Sequence, residues 1–364
     1  MARSLRARPD APELAWLGGH RGLEASIVRE ADIPLRRLAL RSLRTAGRDV
    51  HLVLDPIRLV ASIPQAMAIL ARERPDAILA TGGYVAIPTL AAASVLRIPS
   101  VLWEGNVIPG RSARATARLA SVLAVSFEPT CAALAGGRPC YVTGTPIRET
   151  SGLDRLAARE RLGIPPGERL LLVFGGSQAV RRFNQAVADA LPQLVERVRV
   201  VHVTGEAGYA EALARRETLP ADLRARYRPA AFLREEMPVA LAAADLVVGR
   251  AGSSTLAEVT ALGLPMIVVP YPHAGGHQLA NARILADAGA AVLVADEAFG
   301  AASLLDAAAI LTAPGRHVEM SAAARSLGRP GAADAVADLV IALAERRPLP
   351  SVAAIDARSR GVAA

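Results

Sequence analysis

Short apolar runs that end in glycine and open directly into helical periodicity recur along almost the whole chain, and this alternation narrows the fold more than any other feature. The runs LAWLGG, DAILATGG (76–83), SVLWEG (100–105) and VLAVSF (122–127) alternate with helical stretches in the first part of the chain. A second series begins with RLLLVFGGS (169–177) and continues through RVVHVTG (199–205), YRPAAFL (227–233), DLVVGRAG, PMIVVPY (265–271) and AAVLVAD (290–296). Strands that alternate with helices require a parallel sheet covered on both faces. Between the series, TGTPIRETSG (143–152) breaks the pattern with Gly, Pro and polar residues, as a linker does.

The expected architecture is therefore α/β, with two doubly wound, Rossmann-like domains facing a cleft. Domain boundaries fall at 1–147 and 148–330, a C-terminal helix at about 331–346 packs back on the first domain, and 347–364 is read as a mobile tail because Pro348 and Pro350 interrupt it. A helix is expected after Pro56 through Arg72. At 364 residues and 52% hydrophobic, the chain has material for two cores.

All 42 basic residues are arginine and the formal charge is +8. The arginines are scattered through every helical stretch and aromatics make up only 3%, which disfavours nucleic acid as a partner but not an anionic membrane surface. Val85 to Leu96, the longest gently apolar run, falls well short of the roughly 20 residues that span a bilayer. The N-terminus has no apolar core region of a signal peptide. Cys131 and Cys140 match neither a disulfide framework nor a metal spacing, and are read as free thiols in a reducing cytoplasm.

Candidate ligand groups collect at the strand ends. In DLVVGRAGSSTLAE (245–258) an apolar strand turns through small residues into a helix, so unpaired N–H groups and the helix dipole favour a phosphate. Ser253, Ser254 and Thr255 add hydroxyls there, and Glu258, one turn on, suits vicinal ribose hydroxyls. A strand-to-helix turn with a serine N-cap would look the same in isolation. Ser177 and Gln178 close a second such turn, and two in one domain beside Glu258 fit a nucleotide diphosphate. The loop PYPHAGGHQLANA carries His273, His277, Gln278 and Asn281; no Cys or carboxylate completes a zinc set, and paired donors and acceptors suit sugar hydroxyls. In the first domain Thr81-Gly82-Gly83-Tyr84 and Trp103-Glu104-Gly105-Asn106 also end strands, and Tyr84, Glu104 and Asn106 supply polar groups there.

TGGYVAIP, EGNVIPG, TGTPIR, FGGSQ, RAGSSTLAE and PYPHAGGHQLANA, in this order, resemble the MurG family of UDP-N-acetylglucosamine transferases, over nearly the whole chain to about Arg346. The resemblance implies a GT-B glycosyltransferase that moves GlcNAc from UDP-GlcNAc to the C4 hydroxyl of lipid I, with inversion, to give lipid II at the cytoplasmic face of the cell membrane. It implies no metal or other cofactor. By motif, Glu258 would hold the ribose, Ser177 and the Ser254–Thr255 turn the diphosphate, and Arg148 and the Leu233 backbone the uracil. Ser253, His277 and Gln278 would face the GlcNAc ring. Tyr84, Glu104 and Asn106 would line the acceptor side and supply the candidates for catalysis. The sequence departs from the family at its opening, where the GGTGGH strand and loop, whose His is a candidate base, are not seen. His20 in LGGHRGLE imitates that motif and is read as an ordinary loop residue. A catalytically weak nucleotide-sugar binder and a UDP-GlcNAc 2-epimerase are the alternatives. Membrane docking is expected at Ile57, Leu59, Val60 and Ile63, with Arg58 beside them and Arg36, Arg37, Arg41 and Arg44 upstream.

Overall fold

The computed structural model describes residues 1–19, 24–40, 51–148, 154–176, 180–233 and 235–362. The chain forms two compact units, Met1–Pro146 with Gly331–Ala364, and Ile147–Pro330. His20, Arg41, Arg44, Ser177 and Gln178 lie outside the described residues.

The first unit contains α1 (Ala2–Arg6), β1 (Trp16–Gly19), α2 (Glu24–Glu30), β2 (Leu35–Leu38), α3 (His51–Glu73), β3 (Ile78–Ala80) and α4 (Gly83–Leu96). It continues with β4 (Ser100–Glu104), α5 (Arg111–Thr116), β5 (Val122–Val125), α6 (Glu128–Leu134) and β6 (Cys140–Val142). Among the described residues its strands make two parallel sheets, β1-β2 and β3-β4-β5-β6. Alternate residues of β4 and β5 point to opposite faces. Leu102 and Leu123 pack with Leu90 and Ala113 on one side, while Val101, Val122 and Ala124 pack on the other.

The second unit contains α7 (Arg155–Arg161), β7 (Leu170–Phe174), α8 (Val180–Arg197), β8 (Arg199–Val203), α9 (Glu206–Thr218), β9 (Tyr227–Ala230) and α10 (Met237–Ala243). After these come β10 (Leu246–Gly249), α11 (Ser253–Ala261), β11 (Met266–Val268), α12 (His277–Asp287), β12 (Ala291–Leu293), α13 (Ala301–Thr312) and α14 (Pro314–Leu327). The parallel sheet runs β12-β11-β10-β7-β8-β9, so the strand order reverses between β10 and β7. Leu171, Val173, Leu246 and Val248 feed one core and Leu170, Leu172, Phe174 and Val247 the other, which explains why these strands read as unbroken apolar runs. The reversal point needs a close approach: a Cβ on Gly249 would stand 3.1 Å from the Phe174 carbonyl oxygen.

The chain returns to the first unit with α15 (Ala332–Ala344) and α16 (Val352–Ser359). Three expectations need correction. The segment read as a mobile tail forms α16: Ser351 caps it by accepting from Ala354 N at 3.1 Å, Ile355 is buried, and the Tyr141 hydroxyl donates to Pro350 O at 3.0 Å. Pro348 and Pro350 end one helix there and leave room for a cap, and eight residues are too few to show a periodicity. The helix expected after Pro56 begins at His51 and runs through both Pro56 and Pro64. Pro64 has no N–H to give the carbonyl of Val60, four residues back, and the Val60 side chain is 67% exposed. Cys131 and Cys140 are joined in a disulfide with Cα atoms 5.8 Å apart, because Gly136 and Gly137 take positive φ and fold the chain back from α6 to β6.

Candidate functional site

The β10–α11 turn sits at the reversal point, where the carboxyl ends of β7 and β10 leave a crevice. Gly252 is the N-cap of α11 and contributes no side-chain cap, so the first turn, Ser253, Ser254 and Thr255, presents N–H groups and hydroxyls without a competing acceptor on the cap residue. Beside it lies a cavity of about 900 Å³ whose wall includes Arg148, Phe174, Phe232, Leu233, Thr255 and Glu258. Glu258 is half-buried, and burial pushes its carboxyl above the usual range while the Arg148 guanidinium pulls it back. A half-buried carboxylate beside a cation is a good acceptor for hydroxyl donors. Leu233 is buried, and Phe232 next to it is 54% exposed, leaving an aromatic face at the cavity wall.

The same cavity reaches Asn184, His202, Thr204 and Tyr227. His202 is buried, its Nδ1 lies 3.0 Å from the Tyr227 hydroxyl, and burial lowers its pKa to about 3. Burial also pushes the Tyr227 hydroxyl up, with Arg215 opposing. The pair is neutral near pH 7. Asn184 donates to Thr204 O at 2.9 Å, and a Cβ on Gly208 would strike that amide, so Gly208 makes the space for it.

Gln278 and Asn281 tie the loop after β11 to the β10–α11 turn. Gln278 Oε1 accepts from Ala251 N at 3.2 Å and from Tyr271 N at 2.9 Å, and Asn281 Nδ2 donates to Ala251 O at 3.3 Å. The oxygen of Gln278 is thus committed to the backbone, which leaves its amide nitrogen as the group for a ligand. His277 opens α12 after Gly275 and Gly276, both in the left-handed region. Arg250 makes the loop and turn one assembly. It donates to Val269 O and to Asp296, and stacks between Phe183 (4.9 Å) and Tyr271 (5.4 Å). Sequence reasoning passed over Arg250, Asn184 and His202; the first stands directly before the small-residue turn, which was the available signal.

In the first unit, Glu104 closes the loop after β4. Its Oε1 accepts from Asn106 N at 2.9 Å and Asn106 Nδ2 at 3.1 Å, and its Oε2 from Gly110 N at 3.0 Å. Thr130 of α6 donates to Asn106 O at 3.0 Å. Tyr84 stands in the first turn of α4, behind Gly82 and Gly83 with φ of 80° and 76°, and packs against the α3–α4 core. Of the expected membrane patch, Val60 is exposed and Leu59 packs inward; Ile27 and Val95 are further exposed apolar side chains of this unit. No described helix is long and apolar enough to cross a membrane. Among the described residues, no three of His, Cys, Asp and Glu gather as a metal site would require.

Two Rossmann-like domains, one with a helix start and a half-buried carboxylate at its strand reversal, give the chain the GT-B fold. The glycosyltransferase family 28 N-terminal domain matches residues 1–125 and the family's C-terminal domain residues 170–338. The chain belongs to this family, in its MurG branch. It is 37% identical over 346 residues to the UDP-N-acetylglucosamine--N-acetylmuramyl-(pentapeptide) pyrophosphoryl-undecaprenol N-acetylglucosamine transferase of Desulforudis audaxviator, covering 93% of this chain and 92% of that one. The enzyme of the same description from Moorella thermoacetica is 36% identical, with 95% and 94% covered. The crystal structure of Acinetobacter baumannii MurG superposes with a TM-score of 0.71 at 27% identity, covering 90% of each chain. UDP-GlcNAc 2-epimerase from Neisseria meningitidis, at 11% identity and a TM-score of 0.62 over 95% of each chain, shares the fold alone.

Proposed function

We propose that this protein transfers GlcNAc from UDP-GlcNAc to the C4 hydroxyl of lipid I, forming lipid II, at the cytoplasmic face of the membrane as a peripheral protein. The observation that carries the donor half is Glu258, half-buried beside Arg148 in the cavity at the β10–α11 turn. Glu258 takes the ribose hydroxyls, Arg148 and the backbone at Leu233 the uracil, and Ser254 and Thr255, with Ser177, the diphosphate. Ser253, His277 and the Gln278 amide face the sugar. No cofactor takes part in this reading.

The reaction is one displacement. The acceptor oxygen bonds to the anomeric carbon as the bond from that carbon to the β-phosphate oxygen breaks, a base on the acceptor side takes the hydroxyl proton, and the configuration inverts. Negative charge grows on the departing UDP, where the N-terminus of α11 and its hydroxyls are already oriented. Asn106 and Tyr84 face the acceptor. Glu104 serves as the clamp of the acceptor loop, since both of its oxygens already accept loop donors. Exposed Val60, Ile27 and Val95 and the arginines of the first unit meet anionic lipid.

The test is incubation with a lipid I analogue and radiolabelled UDP-GlcNAc. The expected product is the β-linked disaccharide lipid with release of UDP. Donor turnover to a free 2-epimer without lipid product would replace this reading with the epimerase one.

A further inference from the structure

The disulfide stands where it can act on the acceptor side of the protein. Cys131 lies in α6, directly after Thr130, the buried residue whose hydroxyl holds Asn106 O. Asn106 and Gly110 are in turn gathered by the Glu104 carboxylate. The other half of the bond, Cys140, opens β6, which is fixed on its own account: it pairs with β5, and Tyr141 reaches the carbonyl of Pro350.

The two anchors are unequal. α6 has only seven residues, too few to be stable as an isolated helix, and Thr130, Leu134 and the disulfide hold it down. Cutting the bond therefore leaves β6 in place and loosens α6. Both cysteines are partly exposed, so a small thiol can reach them. A disulfide on a protein that works at the cytoplasmic membrane face meets a reducing pool, where such bonds are transient and sense redox state.

We propose that Cys131 and Cys140 form a redox modification site that sets the order of the loop 104–110 through α6 and Thr130. The regulatory consequence rests on the reading that this loop takes the acceptor. Reduction needs a dithiol. One of its thiolates attacks a sulfur of the pair, giving a mixed disulfide and releasing the other cysteine as a thiol. The second reductant thiol then displaces the first cysteine. Two electrons and two protons pass to the protein, and the reductant leaves as its disulfide. Oxidation is the reverse, with a small-molecule disulfide as oxidant.

The experiment equilibrates the full chain in buffers of reduced and oxidised dithiothreitol. Three readouts are taken on each: thiol alkylation read by mass spectrometry, hydrogen exchange at the Asn106 and Gly110 amides, and the kinetics with a lipid I analogue. The oxidised protein resists alkylation at both cysteines and protects the two amides. Reduction, or the double change Cys131→Ser with Cys140→Ser, speeds their exchange and raises KM for the analogue by on the order of tenfold, less than the ~10²-fold of a 1 Å misplacement at the reacting centre. UDP-GlcNAc affinity stays the same in both states. Two alkylatable thiols in oxidising buffer, or identical exchange in both states, overturn the proposal. Faster exchange with an unchanged KM upholds the coupling and instead removes the loop from the acceptor site.

Discussion

Glu258 shows how a single side chain trades stability for binding. Below the ordinary carboxylate range the folded and unfolded chains both carry its proton, and burial makes no difference to stability. As pH rises the unfolded chain releases that proton first, so stability is withdrawn until the raised folded pKa is passed. Glu258→Gln should therefore unfold at a higher temperature than the parent at pH 7 and at the same temperature near pH 3. The same change should weaken UDP-GlcNAc by about 1.5–3 kcal/mol in calorimetry, the value of hydrogen bonds to a charged group. Unchanged affinity would remove Glu258 from the ribose. His202 works in the opposite direction. Above pH 6.5 it is neutral in both states, and as pH falls the unfolded chain takes up a proton that the folded one refuses down to about 3. Stability should fall by about 1.4 kcal/mol per pH unit across that window. His202→Leu, less stable at pH 8 for want of the Tyr227 contact, should show a shallower acid limb in urea titrations; an unaltered slope would mean another group carries it.

At the scale of elements, the strand-to-helix turns were legible because each places glycine where an apolar run meets a helical period. The β10–α11 turn, Glu258 and the parallel sheets follow from that pattern directly. What stayed hidden is whatever depends on partners distant in sequence. Nothing around Gln278 says that its oxygen serves Ala251 and Tyr271, and nothing beside Arg250 announces Phe183 and Asp296. The C-x8-C spacing is silent until Gly136 and Gly137 fold α6 onto β6. Glu104 falls between these cases: its position at the end of a strand marks it for a site, but only the structure shows its oxygens spent on Asn106 and Gly110. As the clamp of its loop, Glu104→Ala should cost stability of about 1–3 kcal/mol by orphaning those donors, and should raise KM for the lipid analogue without altering donor affinity. Its kcat should keep the parent's pH profile. Loss of a general base would instead lower kcat by roughly 10²–10⁴-fold and abolish one limb of that profile, which is the result that would return Glu104 to catalysis.

Across the whole molecule the two units differ in how the chain builds them. Ile147–Pro330 is continuous, and both apolar clusters of its six-stranded sheet are drawn from its own residues. The other unit is made by the two ends of the chain: Val101, Val122 and Ala124 of the β4–β5 face are covered by Val336, Leu339 and Val340 of α15 and by Ile355 of α16. A fragment 147–330, at about 180 residues within the ordinary size of a domain, should fold alone and unfold cooperatively. It should bind UDP with the affinity of the full chain, because Arg148, Leu233, Thr255 and Glu258 all lie inside it. A fragment 1–330 should keep that binding yet lose its first unit, whose sheet face would stand open to water once α15 and α16 are removed. Calorimetry with UDP and thermal unfolding of both fragments test this together. The expected pair is equal donor affinity in both, with the transition of the first unit missing from 1–330. If fragment 147–330 fails to bind UDP although it unfolds cooperatively, the donor site draws on residues outside this unit, and the donor contacts proposed for it are incomplete.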